Sequence, residues 1–179
     1  MFRLVPERSL PPYTYVPGQT PHPVSDPSGH MFGRRQMHVD FPRESDVWAR
    51  EFLFGIDLFH HGFYWEAHET WEGLWHAAGR ARSWADLLKG LIKLAAAGVK
   101  AREGRREGVR RHALRAAELV RQAQTEWRDA ALPTSDWNWT QLLAHIDSVV
   151  ADPPVAVTPD PRGHCVWGWQ IVDAQRQGA

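Results

Sequence analysis

The chain holds one cysteine, Cys165, in 179 residues. A single thiol can form neither an intramolecular disulfide framework nor a thiolate cage for structural zinc, and Cys165 reads as a partly buried small residue in a reducing cytoplasm. Net charge is also lacking, because 21 Lys and Arg balance 21 Asp and Glu. No global field therefore draws the protein to nucleic acid or anionic lipid, and partners must be argued from local sites. Long apolar runs are missing as well. The longest mild apolar stretch is "LAAAGV" from Leu94, far short of the ~20 residues a membrane helix needs. The opening "MFRLVPERSLPPYTY" has no apolar core of signal-peptide length before its prolines, so the expectation is a cytoplasmic protein with no membrane partner. No glycine-rich phosphate loop, nucleophile elbow or dinucleotide fingerprint occurs.

Proline is absent from residues 43 to 132, although seven prolines fall between Pro6 and Pro27 and four between Pro153 and Pro161. Proline breaks helix interiors, so the silent interval is where long helices can form. Ser45 and Asp46 can cap a first helix through "VWAREFLFGIDLFHH", ended by Gly62. A second helix spans residues 63–78 and ends at Gly79; Ser83 caps a third, "WADLLKGLIKLAAAGVKARE", which Gly104 ends or kinks. A fourth covers 107–127 and a shorter fifth holds "TQLLAHIDSVV". With short connections these predict an all-α, up-and-down bundle of about five helices over residues 44–152. Residues 1–43 read as an extended proline-rich arm whose Tyr13, Tyr15 and Val16 lie along the bundle, and 153–179 as a tail packed on it, a short extended segment or hairpin.

Ten tryptophans are many for this length, and rings of that size must pack on something. Five aromatics fall in "GFYWEAHETWEGLW", the start of the second helix. At about 100° per residue, Tyr64, Ala67, His68, Trp71, Leu74, Trp75 and Ala78 share one arc, the core face. Glu72 lies one turn beyond His68, His76 one turn beyond Glu72, and Glu69 on the same side, flanked by Trp65 and Trp75. Glu66 is expected to point away into solvent or to face the helix dipole. Imidazole with carboxylate suits zinc, manganese or iron, so His68, Glu72, Glu69 and His76 are candidate metal ligands. The same pair can serve as a hydrogen-bonded acid/base unit, or merely as a bridged core histidine. The start of "HETWE" is not a metalloprotease signature, because Glu72 stands where a second imidazole is needed.

The run "LFHHGFYWEAHETWEGLW" followed by "LLKGLIKLAAAGVKAREG" resembles the bacterial and archaeal family catalogued as domain of unknown function 309. The likeness covers about residues 50 to 120 and includes a His-x-x-x-Glu-x-x-Trp signature at His68, Glu72 and Trp75. It implies a compact helical bundle and a metal-binding motif. The family often has asparagine at the position of His60, glutamine at Lys93 and histidine near Lys100. A cation at Lys93 departs from a simple metal cage. Lys89, Lys93 and Lys100 share a face of the third helix, from which they can neutralise Glu69 and Glu72 or hold a small anionic ligand.

"KAREGRREGVRRHALR" is basic, but its interleaved glutamates make it read as a solvated helix junction rather than a nucleic-acid patch. Trp137 and Trp139 read as a hydrophobic staple before the fifth helix. His112 and His145 sit singly on helices and read as structural or exposed. The leading expectation is a divalent-metal or small-ligand protein built on His68 and Glu72, with Trp65, Trp75 and Lys93 lining the site. The competing one is a non-catalytic structural or interaction module, with a homo-oligomer as one form of it. A metal-dependent hydrolase is disfavoured, because a full ligand set with an open position is not evident.

Overall fold

In the computed structural model, residues 2–33, 46–77, 82–127, 132–134, 136–158 and 160–172 are described. Five helices follow in order: α1 (Asp46–His60), α2 (Tyr64–Ala77), α3 (Arg82–Arg102), α4 (Arg106–Glu126) and α5 (Trp139–Ala151). The proline-free interval thus folds as a helical bundle, with boundaries within a residue or two of those expected. Ser45 and the second helix's expected end at Gly79 lie outside the described residues. Ser83 falls inside α3, which begins one residue earlier. Gly62 and Gly104 take φ values of 82° and 75°, a left-handed backbone that ends α1 and α3 and that side chains oppose. α5 opens on Asn138, whose side-chain oxygen accepts the Gln141 N–H at 3.0 Å.

Each helix packs on the next in sequence. Two glycines set how closely α3 sits between its neighbours: Gly98 lies directly against the Tyr64 ring of α2, and a Cβ on Gly90 would come within 2.7 Å of Val120 on α4. The aromatics pack in clusters, one around Phe59, Tyr64 and Trp167 and another around Trp84. Trp48 stacks on Phe52 and meets Trp84 edge-on at 4.5 Å, and Trp84 continues to Trp127 and Trp139. Trp137 and Trp139 belong to this cluster, Trp137 reaching Phe52 as well.

The N-terminal flank docks on α1 and α2 through buried carboxylates. Asp57, fully buried in α1, accepts the Leu4 and Val5 N–H groups, each at 2.8 Å, and lies 3.5 Å from Arg3 Nε. Glu66 of α2 accepts the Thr14 hydroxyl at 3.1 Å and the Tyr15 N–H at 3.0 Å, with His30 Nε2 at 3.3 Å. Val5 and Val16 are buried. Tyr15 and His22 meet Trp65 edge-on at 5.5 and 5.4 Å. Glu66 is therefore not solvated: it is 5% exposed, because the arm covers a helix face that would otherwise meet water.

The C-terminal flank is held in the same way. The Ile171 N–H donates to His60 Nε2 at 2.9 Å and the Val166 N–H to the Tyr64 hydroxyl at 2.8 Å. Burial, with help from His61, pushes the His60 pKa down to about 3, so the ring stays neutral and its lone pair is available as an acceptor. Arg102, in the run expected to be solvated, is 1% exposed and donates to the Asp160 carbonyl at 3.0 Å. The segment is extended rather than a hairpin: its one ladder contact among the described residues is an antiparallel bridge between Trp137 and Val172.

Replacing Asp57→Ala leaves two buried N–H donors without a partner, which costs roughly 3 kcal/mol. The expected result is early protease cleavage within residues 2–33 and a lowered melting temperature. An arm as resistant as in the wild type would show that Asp57 does not hold it.

Candidate functional site

α2 carries its polar groups on two adjacent faces. Ala67, Trp71 and Leu74 are buried against α1 and α3, and Tyr64 with them. His68 lies at the margin of this apolar arc rather than in its middle, half-buried with Glu69 and Glu72. A ring nitrogen of His68 and one oxygen from each of Glu69 and Glu72 all lie within 4.8 Å of one another. The sequence spacing alone accounts for this. Residues at i and i+4 are axial neighbours, and i+1 sits about 60° beyond i+4 on the same flank.

His76, one turn further on, is exposed and stands outside that group, with its ring 4.8 Å from Trp75. Trp65 is covered by the arm through Tyr15 and His22. Trp75 carries the Lys89 ammonium 4.9 Å above its ring, a cation–π contact. Lys93 faces the site from α3, close enough for its charge to act on His68.

The electrostatics follow from the crowding. Burial pushes the Glu69 carboxyl up to about 7, and the neighbouring charges of Glu72 and Glu66 push the same way. Burial lowers the His68 pKa; Glu72 and a hydrogen bond to the Ile92 carbonyl oppose that, and Lys93 adds to it. A neutral imidazole fixed through one nitrogen to a carbonyl leaves its other nitrogen free to ligate. The two carboxylates beside it crowd negative charge, and the raised Glu69 pKa is the result.

His112 of α4 belongs to the same neighbourhood. Burial lowers its pKa, followed by the charges of Lys93, Arg111, Lys100 and His68. Its link to His68 depends on how α4 lies against α3, and no spacing within α4 signals it. The Trp169 ring stacks on His145 at 4.7 Å, so that histidine packs against the tail. The basic turn between α3 and α4 borders a cavity of about 610 Å³ lined by residues including Lys100, Glu103, Arg106 and Arg111. That cavity does not reach the two carboxylates.

The family described as Domain of unknown function (DUF309) has a model that matches residues 52–112, which run from α1 into α4 and include His68, Glu69, Glu72, Lys93 and His112. The resemblance read from the sequence is borne out over that segment. No curated protein matches the chain. Among the described residues no helix is long and apolar enough to cross a membrane.

The raised Glu69 pKa sets a pH dependence. A carboxyl that binds its proton more tightly folded than unfolded favours the fold below about 4.5, and that contribution is lost as pH rises towards about 7. Glu69→Gln removes the penalty, so the metal-free variant should be more stable than wild type at pH 8 by about 1 kcal/mol, discounted because the group is half-exposed. The gap should close by pH 4.5. Melting curves at both pH values check it, and a variant less stable at pH 8 contradicts it.

Proposed function

We propose that the protein binds a divalent metal ion through His68, Glu69 and Glu72. The observation that carries this reading is the convergence of one ring nitrogen and two carboxylate oxygens within 4.8 Å. Ligands around zinc at about 2.0–2.2 Å stand roughly 3.4 Å apart, so small side-chain rotations close the set. One imidazole with two carboxylates suits zinc, manganese or iron, and the absence of thiolate disfavours softer ions. Three protein ligands leave at least one coordination position for water or a ligand, the arrangement of sites that do chemistry rather than of closed structural ones. The raised Glu69 pKa fits the same reading: a bound dication replaces the proton and relieves the repulsion among Glu66, Glu69 and Glu72.

Elemental analysis of the untagged full chain, followed by calorimetric titration of the metal-free protein with Zn²⁺, Mn²⁺ and Fe²⁺, tests the assignment. Near-stoichiometric uptake by the wild type is expected, weakened at least 100-fold by His68→Ala and by Glu72→Gln and retained by His76→Ala. Affinity should rise with pH up to about 7 as Glu69 gives up its proton. A folded wild type that takes up none of the three ions overturns the assignment and leaves His68 and Glu72 as a pair that merely stabilises the helix.

A further inference from the structure

We propose that the open side of this site holds a phosphoryl group, one oxygen on the metal and the others on Lys93 and His112; this rests on the metal assignment above. The placement follows from helix register. Gly98 of α3 lies against Tyr64 of α2, and Lys89 lies over Trp75. The two contacts fix α2 and α3 as antiparallel, and Lys93, between Lys89 and Gly98, falls opposite the turns that carry His68, Glu69 and Glu72. α4 reaches the face of α3 that carries these lysines: a Cβ on Gly108 of α4 would meet Lys100 at 3.0 Å, and one on Gly90 of α3 would meet Val120 of α4 at 2.7 Å. His112, one turn along α4 from Gly108, is therefore brought beside the same stretch of α3, and the charges of Lys93 and His68 both act on it.

The second observation is how the lysines of that face are used. Lys100 is bound by both oxygens of Glu103 at 2.8 and 2.9 Å, and Lys89 rests on Trp75. Among the described residues Lys93 makes no ion pair, although its charge acts on His68 and His112. An ammonium beside two carboxylates would be expected to pair with them; a half-buried one that does not pair remains available to an anion. The candidate ligands on α2, Lys93 on α3 and His112 on α4 then share one neighbourhood, since the charges of Lys93 and His68 both act on His112. A carboxylate offers two oxygens to such a set, whereas a phosphoryl group offers three together with up to two negative charges.

The experiment is calorimetric titration of inorganic phosphate into the full chain loaded with whichever divalent ion it holds most tightly, the metal content of each sample being measured beforehand. Saturable binding to the wild type is expected. Lys93→Gln should weaken phosphate at least tenfold while metal affinity stays the same or rises, since a cation beside the metal has been removed. A lysine with only a packing role would not move the two affinities in opposite directions. Lys93→Arg should keep most of the phosphate affinity, and His112→Ala should lose part of it with the fold intact by melting curve. No phosphate binding to a metal-loaded wild type, equal binding by Lys93→Gln, or displacement by acetate at equal concentration overturns the phosphoryl assignment and leaves the metal assignment standing. A wild type that takes up no metal overturns both.

Discussion

Backbone donors in irregular chain must be satisfied when they are buried, and here the helical corner between α1 and α2 does it. Among the described residues the arm and the tail form no sheet beyond the single Trp137–Val172 bridge, so most of their N–H groups have no ladder to join. Asp57 receives Leu4 and Val5, Glu66 receives Tyr15, the Tyr64 hydroxyl receives Val166 and His60 receives Ile171. Each acceptor sits on α1 or the first turn of α2, and each is itself buried. A carboxylate or a neutral imidazole inside a core is costly alone, so these side chains and the flanks they hold are mutually dependent. The flanks are parts of the core. Val5 and Val16 from one, and Trp167, Ile171 and Val172 from the other, join the helices' own apolar side chains.

That division of labour positions the site. Once Glu66 is committed to the arm, the next two glutamates on the same helix face a different surface, towards α3 and α4. The three carboxylates at 66, 69 and 72 repeat every third residue, close enough for their charges to add. The arm's donors stabilise Glu66, while Glu69 sits between two acidic neighbours with burial on one side. The imidazole of His68 is held beside these two carboxylates by the Ile92 carbonyl.

Much of this was legible in the sequence, and what was not has a common cause. The proline distribution and the apolar rhythm located all five helices, because both act within one helix. The grouping of His68, Glu69 and Glu72 was legible for the same reason: three residues on adjacent turns need no tertiary information. Glu66 was misjudged because a helical wheel knows only that a residue faces away from its own helix's core, and here a second layer of chain lies on that face. Arg102 looked like one more cation in a basic run, yet the tail's carbonyls bury it. His112 is the clearest miss. Its place near His68 comes from the α3–α4 register, set by close approaches at Gly90 and Gly108, and a glycine in a helix does not announce which neighbour it admits.

The aromatic residues around the stripe act differently from what their number suggests. Trp65 and Trp75 flank the acidic turns, and exposed rings there would form a platform for a flat ligand. Both are already occupied. Tyr15 and His22 close on Trp65, and Lys89 covers Trp75. What they leave between them is a strip of imidazole and carboxylate walled by hydrocarbon, where the effective dielectric falls and a charge is felt more strongly than in water. The same wall raises the Glu69 pKa.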